Sequence, residues 1–180
     1  MEEKRDVITN ECSSAGVKPI MVDLPYPKIQ VKGKNMAYAN LLSVDYCGSV
    51  SELSAITQYI SNESSLSQEK CPMARTLLGI AMAEMMHLQK LGEMIALLGG
   101  NIDFVAKQQN GKKMMWTPAY LSLPTQPGQM IVANIDAERA AIHQYRMHIR
   151  AIQDPYIRAV LERIILDEEY HIMILKAIQG

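Results

Sequence analysis

The stretch DEEYH at residues 167–171 decides how the rest of this chain is interpreted. A Glu and a His three positions apart lie on the same face of an α-helix, so Glu168 and His171 can bind one ion together. The same spacing occurs once more, between Glu84 and His87. Two Glu-x-x-His helices, each joined by a carboxylate from another helix, are typical of a two-metal site inside a four-helix bundle.

Two further glutamates lie at the level such a site requires. Glu52 precedes the first predicted turn by about 10 residues and Glu84 follows it by about 12, which places both about 15–18 Å from that end of the bundle. Glu138 and Glu168 lie about 20–24 Å from the opposite end by the same reckoning. We expect Glu84 and Glu138 to bridge the two ions. The predicted metal ligands are Glu52, Glu84, His87, Glu138, Glu168 and His171, a donor set that suits iron or manganese better than zinc or copper.

Hydrophobic periodicity predicts four long helices. They run from Asn35 to about Ser61, from Pro72 to about Leu98, from about Gln129 to Ile152, and from Pro155 to about Ile178. The connection over residues 101–128 is much longer than the roughly 2–8 residues usual between antiparallel helices, and it fits a crossover along the bundle. The predicted fold is all-α: a four-helix bundle over residues 36–180, built as two antiparallel hairpins joined by this crossover.

Residues 1–35 are predicted to form an irregular N-terminal arm, because prolines and Gly33 interrupt every helical period. The apolar residues of the arm need a surface to cover, and we expect that surface to belong to a neighbouring subunit.

Composition excludes several classes of partner. A net charge of -1 gives no reason to expect a nucleic acid, and no apolar run approaches the roughly 20 residues of a membrane span. The N-terminus lacks the apolar region of a signal peptide, so a soluble cytoplasmic protein is expected. The three cysteines contain no Cys-x-x-Cys pair, which excludes a fused rubredoxin-type site and provides no disulfide framework.

Other residues near the predicted ligands invite supporting roles. Asp167 is expected to orient a ligand histidine on a facing helix through the free N–H of its ring. Tyr59 and Tyr145 each follow a predicted ligand by seven residues, and a buried tyrosine needs a partner for its hydroxyl. We expect a redox or hydrogen-bonding role near the metals, above all for Tyr59, with a plain core position as the alternative. Cys47 is expected to be a small buried hydrophobe. Three residues are interpreted as surface or interface residues because they point away from the ligand face: His143, His148 and Glu169.

The order Glu…Glu-x-x-His…Glu…Glu-x-x-His resembles the ferritin-like superfamily, which includes ferritins, bacterioferritins, rubrerythrins and manganese catalases. The resemblance covers residues 36–178. Residues 136–145 (DAERAAIHQY) look most like bacterioferritin or rubrerythrin, whereas residues 45–53 (DYCGSVSEL) look more like manganese catalases and related spore-coat proteins.

The chain also departs from these families. Rubrerythrins add a Glu one turn after the third-helix ligand, where this chain has Ala141. Met85 occupies the place of the haem-ligating methionine of bacterioferritins, yet no haem is expected. The short segment after His171 lacks the fifth helix of ferritin shells, so we expect no storage cage.

The resemblance implies a di-iron oxidoreductase that acts on hydrogen peroxide or dioxygen as a peroxidase or ferroxidase, with two iron ions and a possible external electron donor. The first alternative is dismutation of hydrogen peroxide at two manganese ions. The second is a metal-binding, storage or coat-assembly protein without turnover. The apolar arm and the Met/Leu-rich helix faces favour a homodimer or a higher homo-oligomer.

Overall fold

The computed structural model describes residues 9–108 and 111–179, and predictions that concern residues 1–8, 109–110 and 180 lie outside this part of the chain. The helices are α1 (Met36–Cys47), α2 (Glu52–Leu66), α3 (Cys71–Leu97), α4 (Pro127–Ala151) and α5 (Pro155–Gln179). They begin where the sequence supplies start signals. The Asn35 side chain accepts a hydrogen bond from the Tyr38 N–H, and proline occupies the first turn of α3, α4 and α5.

The helix predicted from Asn35 to Ser61 is instead two helices, and this correction places Glu52. The chain leaves α1 at Gly48, where a Cβ atom would lie 2.6 Å from the carbonyl oxygen of Val44. Ser51 then caps α2, accepting a hydrogen bond from the Ser54 N–H at 3.2 Å. Glu52 is therefore the first residue of α2, where the helix dipole favours a negative charge.

The helices form the predicted four-helix bundle. Helix α2 packs along α3 and α4 packs along α5, while contacts between α2 and α4 and between α3 and α5 join the two hairpins. Helix α1 lies at one end of the bundle and contacts α3 and α4. Two clusters of buried apolar side chains form the core, one including Leu42, Leu91 and Leu161 and the other including Leu77 and Ile131. Among the described residues, no helix combines the length and the hydropathy that a bilayer span requires.

The crossover between the hairpins contains short elements of regular structure. Strands β1 (Val105–Lys107) and β2 (Lys113–Met115) pair antiparallel, and a short 3-10 helix follows at Pro118–Tyr120. Trp116 Nε1 donates to Ser54 Oγ at 3.0 Å, and the Ser122 N–H donates to Gln58 Oε1 at 2.8 Å. The crossover is thus fixed along α2.

The described part of the arm packs on its own bundle, which corrects the expectation that it wraps a neighbouring subunit. It first follows one stripe of α3 made of residues four apart. Cys71 forms a disulfide with Cys12, Arg75 donates to the carbonyl of Ala15, and the carbonyl of Gly79 accepts the Ile20 N–H at 2.9 Å. The disulfide also corrects the expectation that the three cysteines provide no disulfide framework. Spacing in the sequence carries no information on the distance between Cα atoms in the fold.

The arm then crosses to α5. Arg163 donates to the carbonyls of Val22 and Leu24 at 2.9 and 2.8 Å, and Asp154 accepts the Lys32 N–H at 2.6 Å. Its apolar side chains lie against the core, among them Tyr26, Ile29 and Val31.

Candidate metal centre

Every long helix of the bundle contributes to one buried cluster that contains all six predicted ligands. They are Glu52 on α2, Glu84 and His87 on α3, Glu138 on α4, and Glu168 and His171 on α5. Their donor atoms form two groups, and within each group one atom of every member lies within 4.8 Å of the others. The first group is Glu52, Glu84, His87 and Glu168, and the second is Glu84, Glu138, Glu168 and His171.

Two glutamates are shared between the groups. Glu84 directs Oε2 to Nδ1 of His87 at 2.9 Å and Oε1 to Nδ1 of His171 at 3.0 Å. Glu168 directs Oε1 to the same atom of His87 at 3.4 Å and Oε2 to that of His171 at 3.1 Å. The bridging pair suggested by this geometry is Glu84 and Glu168, so the expected pairing of Glu84 with Glu138 is wrong. The glutamate of each Glu-x-x-His motif lies between the two histidines, whereas the lone glutamates lie at the edges.

Both histidines point Nδ1 at the carboxylates and Nε2 away from them. His87 Nε2 lies 3.2 Å from Oδ2 of Asp167, and His171 Nε2 lies 2.8 Å from the carbonyl oxygen of Ile20. Because both outer partners are acceptors, the proton of each neutral ring belongs on Nε2. The lone pair on Nδ1 is then free to bind a metal ion.

Asp167 lies where the sequence suggested, beside a histidine of the facing helix α3, and it gathers several donors. Its carboxylate accepts hydrogen bonds from the Tyr26 hydroxyl at 2.6 Å and the Val22 N–H at 2.8 Å, and it pairs with Arg163 at 2.7 Å. Burial opposes ionisation, but hydrogen bonds from His87, Tyr26 and Arg163 lower the pKa of Asp167 to about 2.

The two tyrosines each hold one edge glutamate. Tyr59 donates its hydroxyl to Oε1 of Glu138, and Tyr145 donates to Oε1 of Glu52. Burial and the neighbouring carboxylates raise the pKa of both phenols well above the ordinary value. Both hydroxyls therefore stay protonated and act as donors.

The charges of the cluster divide its carboxylates into two classes. Burial and the charges of Glu84 and Glu168 raise the pKa of Glu52 well above its usual range, and the pKa of Glu138 is raised in the same way. Although burial acts in the opposite direction, His171 and His87 lower the pKa of Glu84 well below its usual range, and they lower that of Glu168. Burial opposes protonation of the two histidines, but the glutamates raise their pKa well above the ordinary value, and in the protonated form, without a metal, they keep the two shared glutamates ionised.

The donor set fits two divalent cations. Four carboxylates no more than 3% exposed share this cluster with two imidazoles, which carry at most two positive charges. Burying an uncompensated carboxylate costs several kcal/mol or forces it to titrate. Oε1 of Glu84 is also buried, and although Nδ1 of His171 lies 3.0 Å from it, the two atoms do not have the geometry of a hydrogen bond. Two divalent ions would neutralise all four carboxylates and would satisfy this oxygen.

Residues outside the cluster follow the sequence expectations only in part. Cys47 is buried, His143 is exposed, and Glu169 is exposed and pairs with Arg146. The expectation of a surface His148 is wrong, because Nδ1 of this buried ring lies 2.7 Å from Oδ2 of Asp45 on α1. The angle around α4 correctly excluded His148 from the ligand face, but it gave no indication that α1 covers the opposite face.

Sequence reasoning also missed several groups that position the ligands. The Ile20 carbonyl, Tyr26 and Arg163 all act around the histidines or Asp167. The four-residue interval from Arg163 to Asp167 on a helix was a readable signal for an ion pair. A main-chain carbonyl carries no residue-type signal, so the role of Ile20 could not be read from the sequence.

The fold and the cluster define a class: a four-helix bundle whose facing helices direct four glutamates and two histidines into a site for two metal ions. Comparison with protein families gives a match to the rubrerythrin model over residues 48–179. The chain therefore belongs to the rubrerythrin family, within the ferritin-like superfamily.

Individual relatives point to more than one branch of this superfamily. A probable manganese catalase of Clostridium acetobutylicum is 25% identical over 161 residues, which cover 80% of this chain and 71% of that protein. The crystal structure of a manganese catalase from Anabaena is similar with a TM-score of 0.74 and 25% identity, covering 87% of this chain and 77% of the other.

Bacterioferritins share the fold at lower identity. That of Rhodobacter capsulatus gives a TM-score of 0.66 at 20% identity, covering 81% of this chain and 84% of the other. The bacterioferritin of Mycobacterium tuberculosis gives a TM-score of 0.64 at 22% identity, covering 81% of this chain and 85% of the other. These comparisons confirm the ferritin-like bundle predicted from the motif order.

Proposed function

We propose that this protein is a two-metal oxidoreductase that acts on hydrogen peroxide or dioxygen, with two iron ions and an external electron donor. The observation that carries the proposal is the pair of shared carboxylates, Glu84 and Glu168, each with one oxygen beside each histidine. Two ions held between the same carboxylates can exchange two electrons with an oxygen–oxygen bond. We assign the ligand roles to Glu52, Glu84, His87, Glu138, Glu168 and His171.

The surrounding residues keep this arrangement in place. Asp167 and the Ile20 carbonyl orient the two histidines, and Tyr59 and Tyr145 donate hydrogen bonds to the edge glutamates. A ligand carboxylate that accepts such a hydrogen bond has one oxygen fixed by the protein. A cavity leads from the surface to the carboxylates, so small oxidants have a route to the centre.

A specific observation favours a second candidate. The 25% identity to the probable manganese catalase, together with the likeness to the Anabaena manganese catalase, supports dismutation of hydrogen peroxide at two manganese ions. Carboxylate oxygen and imidazole nitrogen suit manganese as well as iron. In this case no external electron donor is needed.

The test is the metal content of protein purified without added metal, followed by peroxide consumption with and without a reductant. About two iron ions per chain and reductant-dependent consumption support the proposal. About two manganese ions and oxygen release without a reductant would move the assignment to a catalase. A loaded protein that consumes neither peroxide nor dioxygen would favour metal storage or coat assembly.

Two further expectations stay predictions. Homo-oligomer formation is supported by exposed apolar residues on and near the crossover, including Phe104 and Met115. A cytoplasmic location has the Cys12–Cys71 disulfide against it, since such bonds are commoner in oxidising compartments. Size-exclusion chromatography with light scattering tests the first, and cell fractionation tests the second.

A further inference from the structure

The cavity beside the metal centre is much larger than hydrogen peroxide requires. Its volume is about 320 Å³. A water molecule occupies about 30 Å³ in the liquid, so the space would hold about ten waters, and it falls in the range of small-molecule sites. The cavity begins at exposed residues, Ser122 and Asp136, and ends at the buried carboxylates of Glu52 and Glu138. A molecule that fills it reaches the metal centre.

One wall of the cavity is apolar because α4 contributes three alanines to it. Ala133, Ala137 and Ala141 lie four residues apart on one face of the helix, and all three line the cavity with Ala55 and Val50 of the opposite wall. Larger side chains at these positions would occupy the space. This wall offers a hydrophobic surface to an organic group.

The charges of the lining disfavour an anionic ligand. Of the described residues that line the cavity, six are acidic and none is Lys, Arg or His. Two divalent ions would only just balance the four glutamates, and the cations beside the two aspartates are already paired, His148 with Asp45 and Arg139 with Asp136. A further carboxylate or phosphate group would therefore give the buried site a net negative charge, with no free cationic side chain among the described lining residues to balance it, which is costly. The polar side chains of Ser51, Gln58 and Gln144 also line the cavity, but they already form hydrogen bonds within the protein and so do not compensate a buried anion either.

We propose that the cavity binds an uncharged organic hydroperoxide, whose hydrocarbon part lies against the alanine wall and whose peroxide group reaches the centre. This inference rests on the proposed two-metal oxidoreductase function and names its substrate class. In the reaction the O–O bond breaks, two electrons and two protons are taken up, and one alcohol and one water are formed. The two-metal centre, when loaded and reduced, would supply the electrons, and an added reductant such as ascorbate would restore them.

The first experiment measures binding without turnover. Cumyl alcohol, the inert alcohol of cumene hydroperoxide, and benzoate, an anion with the same aromatic ring, are each titrated into the metal-loaded protein and followed by ligand-observed NMR. We expect cumyl alcohol to bind and benzoate to bind at least about tenfold more weakly, because its charge exceeds what the two metal ions balance. Equal binding of the two, or no binding of cumyl alcohol, would overturn the proposal.

Variants place the ligand in the cavity. Ala133→Phe fills the space beside the alanine wall, and Ser122→Trp narrows the exposed rim if the first variant fails to fold. Ala151→Phe makes the same change at an exposed position at the end of α4 and serves as the control. We expect either cavity variant to weaken binding of cumyl alcohol about tenfold, because the ring loses its buried surface, and the control to leave it unchanged. Unchanged binding in a folded cavity variant would refute this placement.

Turnover then separates this proposal from the proposed function. With ascorbate, the loaded protein should consume both cumene hydroperoxide and hydrogen peroxide. In the cavity variants, the ratio of kcat/KM for the organic peroxide to that for hydrogen peroxide should fall about tenfold, since only the organic substrate needs the wall. Consumption of hydrogen peroxide alone would overturn the substrate assignment and leave the proposed function intact. Consumption of neither would overturn both.

Discussion

The two histidines of the centre occupy equivalent places in equivalent motifs, yet different parts of the chain hold them. His87 faces the Asp167 side chain, an ionised carboxylate that also accepts from Tyr26 and pairs with Arg163. His171 faces only a neutral main-chain carbonyl, that of Ile20 in the arm. One half-site therefore depends on a charged side chain and the other on the path of a segment outside the bundle. Repeated ligand motifs do not imply repeated surroundings.

The largest expected effect separates shared from edge ligands. Glu84→Ala removes an oxygen from both half-sites, so we expect the affinity for both ions to fall at least about 100-fold, beyond what loss of a supporting residue causes. Glu52→Ala, the control, removes a ligand from the His87 half-site only and should leave one ion tightly bound. Metal per chain after desalting, measured by mass spectrometry, distinguishes the two. If Glu84→Ala retained one ion as Glu52→Ala does, the shared role of Glu84 would be wrong.

The next effect concerns the His87 half-site alone. Asp167→Asn removes the charge that faces His87, and we expect affinity for the ion beside His87 to fall about 10–100-fold while the other ion is held as before. Stepwise Fe(II) titration under anaerobic conditions measures the two affinities. Asp154→Asn is the matched control, because Asp154 also accepts a main-chain N–H of the arm, from Lys32, but the other described hydrogen bond of its carboxylate is from the Tyr156 N–H and not from a histidine. An equal loss at both ions in Asp167→Asn would contradict the separation of the half-sites.

The His171 half-site should respond to the arm. A Cβ atom at Gly79 would lie 2.8 Å from Cγ1 of Ile20 and 3.0 Å from the Lys18 carbonyl oxygen, so Gly79→Ala must displace the arm. We expect the free energy of unfolding to fall by about 1–3 kcal/mol and the ion beside His171 to bind more weakly. Gly128→Ala in α4 is the control, since nothing lies within 4 Å of its added Cβ, and it should be neutral or slightly stabilising. Urea unfolding and the same titration test both, and equal behaviour of the two variants would argue against the arm's role.

The prediction with the smallest expected effect on the centre compares the surroundings of the two tyrosines. Near Tyr145 lies the Asp45–His148 pair, whereas near Tyr59 lies an amide cluster in which Gln58 and Asn62 donate to Asn134. Burial disfavours a charged His148, but the hydrogen bond with Asp45 raises its pKa above the ordinary value.

A raised pKa in the folded state stabilises the protein fully below the unfolded value, about 6.5, and this stabilisation is lost as the pH rises through the folded pKa. The free energy of unfolding of His148→Gln should therefore be lower than that of the wild type by about 1–3 kcal/mol near pH 6, with a smaller difference near pH 9. Asn62→Ala should lower the free energy of unfolding by the same amount at both pH values. A pH-independent difference for His148→Gln would show that the pair contributes no protonation-linked stability.

The predictable features were those that side-chain periodicity encodes. Glu84, His87, Glu168 and His171 could be assigned because three-residue spacing fixes a helical face, and the crossover followed from its length. The break before Glu52 could not, because Gly48 and Ser51 also fit a continuous helix. The partners of His171 and His148 were hidden because they come from the arm and from α1, and the position of these segments depends on tertiary packing.

Because of the path of the arm, metal binding at the centre should affect hydrogen exchange at two backbone amides of the arm. The Ile20 N–H is bound to the Gly79 carbonyl and the Val22 N–H to Asp167, while the carbonyl of Ile20 faces His171. Thermodynamic linkage is reciprocal: if metal binding stabilises the docked arm, the docked arm increases the metal affinity by the same free energy. Deuterium should therefore enter these two amide positions more slowly in the loaded protein than in the metal-free protein. Hydrogen exchange in the arm would then report whether metal ions occupy the buried centre, although the arm contributes no metal ligand.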